Sequence, residues 1–108
     1  MTVKQLADSL SLKVICMPDG DREVTGGYAG DLLSWVMGRA NSGDAWITIM
    51  SNVNIVAVAT LADPSCIVLS EGVGIDAEVL EKAKSVGVNI LGSDEDTFAL
   101  CARIAAVL

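Results

Sequence analysis

Cys66-Ile67-Val68-Leu69-Ser70 is a short run without a charge, set between Asp63-Pro64 and Glu71-Gly72-Val73-Gly74. Such a run fits a strand buried on both faces, the condition of a parallel sheet covered by helices. The segments on either side extend that reading. Downstream, Asp76 to Val86 has Val79, Leu80 and Ala83 on one face and a Glu78–Lys82 pair on the other, which predicts an amphipathic helix stopped by Gly87. Val88–Leu91 reads as the next strand. Gly92-Ser93 then leads into a last helix, with capping-box-like spacing of Ser93 and Asp96. Asp94 and Glu95 complement its dipole, and Phe98, Cys101, Ala102, Ala105 and Leu108 are expected on its inner face.

Upstream, Ile55–Leu61 is rich in β-branched residues, so propensity alone favours a strand. Asn52 or Asn54 ahead of it, the alternating alanines, and the strand that follows favour a helix, ended by Asp63-Pro64. Trp46-Ile47-Thr48-Ile49-Met50 reads as a strand. From residue 46 onward strand and helix therefore alternate, which implies right-handed βαβ units and a mostly parallel sheet with helices packed on it.

The first 45 residues are less regular. Thr2 caps a helix with Val3, Leu6, Ala7 and Leu10 on one face, and Leu12–Met17 is a strand broken by Pro18-Asp19-Gly20. Residues 18–30 are glycine-rich, with a short strand possible at Glu23–Thr25. Asp31 to Ala40 is a helix whose apolar face is Leu32, Leu33, Trp35, Val36 and Met37, and Asn41-Ser42-Gly43-Asp44 is a turn. Trp35 and Trp46 are expected in the core.

The chain has 108 residues, the size of one domain spanning 1–108, and 52% apolar residues, enough to bury a core. The net charge of −7 argues against nucleic acid and anionic membrane as partners. The absence of histidine excludes Ser-His-Asp and Cys-His catalysis and imidazole-ligated zinc. Cys16, Cys66 and Cys101 are odd in number, far apart and set in apolar runs, so buried structural thiols are expected and no disulfide framework, with a cluster ligand or reactive thiol as the alternative; no metal or cofactor is assigned. No secretory signal or membrane-spanning stretch is visible, and a cytoplasmic location is expected.

The unusual constellation is Asp21-Arg22-Glu23-Val24-Thr25-Gly26-Gly27-Tyr28. Adjacent glycines point to positive φ or a close backbone approach. Asp-Arg ahead of them can lock a loop. Gly30-Asp31 opens a helix, whose N–H groups would collect near Thr25–Gly27. The loop is either a structural turn with Asp21 and Arg22 paired, or a surface for a ligand or subunit. Ser70–Gly74 is a second, weaker phosphate-cradle candidate.

Asp21-Arg22, two residues, then Thr25-Gly26-Gly27 resembles the signature of the DRTGG domain family. So do Tyr28-Ala29-Gly30-Asp31-Leu32-Leu33-Ser34, Trp46-Ile47-Thr48-Ile49 and Asn54-Ile55-Val56-Ala57-Val58-Ala59. The resemblance implies a three-layer α/β/α fold with four to five strands, like the N-terminal domains of MurF and HPr kinase/phosphorylase. The kinase activity of the latter does not carry over, because the chain has no GxxxxGK[ST] loop. It implies a non-catalytic regulatory or protein-interaction domain, expected as a homodimer, accessory to a metabolic or iron-hydrogenase-type redox system. The alternative is a sensor module for an adenine nucleotide. Ligand or interface residues would be Asp21, Arg22, Thr25, Gly26, Gly27, Tyr28, Gly72 and Gly74, and no catalytic residue is assigned.

Overall fold

The computed structural model describes residues 1–108. Its elements are α1 (Val3–Leu10), β1 (Lys13–Cys16), β2 (Gly26–Ala29), α2 (Leu33–Arg39), β3 (Asp44–Thr48), α3 (Asn54–Ala62), β4 (Cys66–Leu69), α4 (Ala77–Val86), β5 (Ile90–Gly92) and α5 (Thr97–Val107). The five strands form one sheet in the order β1-β5-β4-β3-β2. Strands β2 to β5 run parallel, and β1 closes the far edge antiparallel to β5. Because β2 to β5 follow one another across the sheet, right-handed crossovers place α2, α3 and α4 on one side. The remaining helices, α1 and α5, cover the other.

The two layers bury opposite faces of the same strands. Ala45, Ile47, Cys66, Val68 and Leu91 pack against α1 and α5 through Leu6, Leu100 and Ile104. Trp46, Ile67, Leu69 and Ile90 pack against the other helices through Val36, Ile55, Val56, Val79 and Ala83. This is a three-layer α/β/α fold in which β3 and β4 are buried at every residue, as the charge-free run at Cys66 requires.

Local chemistry sets the helix ends. Thr2 and Gln5 form a reciprocal capping box on α1. Asp76 accepts from the Val79 N–H and Gly87 closes α4 in the left-handed region. The segment after Asn54 is helical despite its β-branched residues, because Ile55, Val56, Val58 and Ala59 can all be buried against the sheet.

Four expectations need correction. The strand near Glu23–Thr25 lies further on, at Gly26–Ala29, and Glu23 makes only an isolated bridge to Thr2. The helix after Asp31 starts at Leu33 and buries Val36 alone; Trp35 stays 51% exposed, stacked under the Arg39 guanidinium. A seven-residue helix over the sheet edge has one inward position, so its apolar face is mostly left outside. The inner face of α5 is Leu100 and Ile104, with Cys101 partly buried against them; Phe98 is 85% exposed, Ala102 is exposed, and Ala105 and Leu108 are exposed along a groove beside β2. Its cap is Asp96, which accepts from the Ala99 N–H, and the Ser93 hydroxyl accepts from Glu95 N–H instead.

Candidate functional site

The unusual constellation runs along the amino ends of the parallel strands. Arg22 does not pair with Asp21, which is exposed and makes no ion pair. Its guanidinium reaches the Asp63 carboxylate at 2.8 Å and the Asp63 carbonyl at 2.7 Å, fastening the loop to the end of α3. Thr25 N–H donates to the Gly43 carbonyl, just before β3. Ser65, just before β4, donates to the Glu23 and Gly43 carbonyls. Asn89, just before β5, exchanges hydrogen bonds with the Asp19 backbone and donates to the Ser65 carbonyl. The loop is thus a belt under β3, β4 and β5.

The glycines have a different role from that of a turn. Neither Gly26 nor Gly27 has a positive φ; both lie in edge strand β2. Gly26 is a close approach: a Cβ there would sit 2.8 Å from the buried Asp44 carboxylate, which accepts from the Asn41 N–H. No helix begins at this loop, so no helix N–H groups converge on Thr25–Gly27. The Asp31 carboxylate accepts from the Thr48 hydroxyl and the Ile49 N–H, tying the carboxyl ends of β2 and β3 together.

The remaining candidates lie elsewhere. Gly27 and Tyr28 line an apolar groove of about 380 Å³ between β2 and α5, with Ile47, Cys101, Ile104 and Leu108. Gly72 and Gly74 line a second groove of about 280 Å³ at the carboxyl ends of β4 and β5. Lys13 reaches that groove because β1 runs antiparallel to β5 and sets Lys13 opposite Gly92. Arg22 lines a third, polar recess with Asp63, Ser65 and Asn89. Five of the eight candidates therefore line three separate places, and Asp21, Thr25 and Gly26 line none of them.

Two partners escaped the sequence reading. Asp63 is the Arg22 partner; the only local sign is its place before Pro64, where it caps α3 with φ 59°. Lys13 is brought beside the Gly72–Gly74 loop only by the antiparallel register, and its ammonium is paired there with the Asp94 carboxylate at 2.7 Å.

The electrostatics fit a scaffold. The hydrogen bonds from Arg22 first, then Ser42, hold the Asp63 carboxyl below its usual range. Burial pushes the Cys66 thiol up to about 12 and raises those of Cys16 and Cys101. No three carboxylates or thiols gather as a metal site would require. No helix is long and apolar enough to cross a membrane.

The sequence profile of the DRTGG domain matches residues 5–107. The chain belongs to the DRTGG domain family. No curated protein sequence matches it. Among solved structures, this DRTGG domain is similar to the CBS and DRTGG domains of the regulatory region of Clostridium perfringens pyrophosphatase, crystallised with the activator diadenosine tetraphosphate. The TM-score is 0.74 at 16% identity over 95% of this chain. The DRTGG domain spans 45% of that longer chain. At this identity the likeness establishes the fold.

Proposed function

We propose that this DRTGG domain is a non-catalytic regulatory module that acts by binding, as a homodimer, within a larger metabolic or redox system. One observation carries the reading. Arg22 and the backbone of the signature loop are engaged within the fold, with Asp21 left exposed, while eleven large apolar side chains remain exposed on a chain of 108 residues. Apolar surface held open on a well-satisfied scaffold marks interaction. No buried polar side-chain atom lacks a partner. Sedimentation velocity over a concentration series tests the dimer. A monomer–dimer equilibrium is expected, and a monomer up to millimolar concentration overturns it.

A second reading, a sensor for an adenine nucleotide, is favoured by the groove at Lys13, Gly72 and Gly74, where a phosphate would displace Asp94 from its ion pair with Lys13. The groove sits at the carboxyl ends of parallel strands, where open α/β sheets take ligands. The similar pyrophosphatase region was crystallised with an adenine dinucleotide. Thermal shift with AMP, ADP, ATP and diadenosine tetraphosphate tests it. A ligand at 100 times its Kd adds about 2.7 kcal/mol, and Lys13→Ala should abolish the shift. No shift with any of the four removes this reading and leaves the first intact.

A further inference from the structure

We propose that the outward faces of α2 and α3 are the surface on which a second copy of this chain docks. The proposal rests on the dimeric reading above and names its interface.

Charge singles out this face. Residues 32–62 contain only two charged side chains, Arg39 and Asp44. Asp44 is buried, so the exposed surface of this 31-residue stretch carries no carboxylate. The other thirteen Asp and Glu residues lie outside it. They resume at its borders, at Asp31 and Asp63 beyond the two ends and at Glu78 and Glu81 on the neighbouring α4.

A two-fold contact sets a face against itself, so every charge on that face is doubled. On a chain of net charge −7 a second copy is repelled from acidic faces. A face whose one charge is Arg39, with Asp31 only at its border, meets its own image with less of that penalty. A basic partner would seek the acidic faces instead, and an acidic one would need more than a single arginine.

The side chains on this face are those of an interface core. Leu32, the N-cap of α2, is 58% exposed, Trp35 and Met37 are 51% and 49% exposed on its two flanks, and Leu61 is 71% exposed on α3. Ile49 joins them, brought beside the start of α2 by the hydrogen bond of its N–H to Asp31. Trp35 is held flat under Arg39 at 3.6 Å, so a large anchor is already ordered before contact. Trp and Arg are the residues most enriched where binding energy concentrates.

The test compares wild type, Trp35→Glu and Ala105→Glu by sedimentation velocity, with far-UV circular dichroism confirming that each is folded. Ala105 is exposed on α5 and lines the groove on the opposite layer. Trp35→Glu should raise the dimer Kd by at least about 30-fold, and Ala105→Glu should leave it unchanged. Raising salt from 50 to 500 mM should tighten the wild-type dimer, because screening weakens the repulsion between acidic copies. Acrylamide quenching of Trp35 should fall with protein concentration, against a constant background from buried Trp46. A dimer unaffected by Trp35→Glu, or one dissociated by Ala105→Glu instead, overturns this face while the dimeric reading stands. A wild type that never dimerises removes both.

Discussion

Arg22 clasps Asp63, forty-one residues further along the chain, through both its carboxylate and its carbonyl. The arginine of the family signature thus fastens the loop before β2 to the turn between α3 and β4. The carbonyl bond survives loss of the carboxylate, so the two residues should differ as mutants. Asp63→Asn removes an exposed ion pair and should cost no more than about 1 kcal/mol. Arg22→Ala removes both bonds and the packing of its stem, and should cost about 1–2 kcal/mol. Urea denaturation of the two variants measures the difference.

The same pair predicts a pH dependence. The Asp63 carboxyl is held below its ordinary value by Arg22 and Ser42, so the folded state binds its proton less readily than the unfolded chain. Its contribution is complete above the unfolded value of about 4 and is lost as pH falls through the lower folded value. The gap in Tm between wild type and Asp63→Asn should be full at pH 6 and close at lower pH. A gap that widens on acidification would contradict this sign.

Gly26 and Gly27 should respond unequally to alanine. A Cβ at Gly26 would press on the Asp44 carboxylate at 2.8 Å, whereas at Gly27 the nearest atom is 3.6 Å away. Gly26→Ala should cost about 1–3 kcal/mol by overpacking, and Gly27→Ala much less. Equal midpoints in urea would show that Asp44 yields freely.

The burial pattern of α5 predicts that Phe98→Ala leaves stability nearly unchanged. Leu100→Ala should cost about 2–5 kcal/mol, since Leu100 is fully buried and Phe98 is 85% exposed. Thermal unfolding of the two variants checks the inner face directly.

Alkylation should follow the thiol environments. Cys66, fully enclosed with its thiol pushed up to about 12, should resist iodoacetamide at pH 8 until the protein unfolds. Half-buried Cys101 should react before it. Timed mass spectrometry distinguishes the sites.

Elements whose burial follows a regular pattern were legible in the sequence. Cys66–Leu69 and the Asp76–Gly87 helix announce themselves because a two-sided strand and a capped amphipathic helix leave unmistakable patterns. The helix at Asn54 was legible from its flanks rather than its composition. The glycine strand β2 was not, because Gly-Gly-Tyr-Ala has neither β-branched residues nor alternation. Its pairing with β3 decides it. Trp35 and Phe98 misled for a common reason: a large apolar residue reads as core, yet α2 has one inward position and the face of α5 centres on Leu100. The candidate site was legible as a motif but not as a place. Asp63 and Lys13 are brought to it by topology, and no local spacing marks them.

The strand order has a consequence for assembly. From β2 to β5 each new strand lays itself beside the one just made, so most of the sheet can grow in the order of synthesis. Only β1 must wait, since its partner β5 is the last strand to emerge. The opening helix and strand therefore act as a latch that closes over a nearly finished sheet, after a long loop has been drawn shut. Pulse-labelled hydrogen exchange during refolding should find β3 and β4 protected first and β1 last.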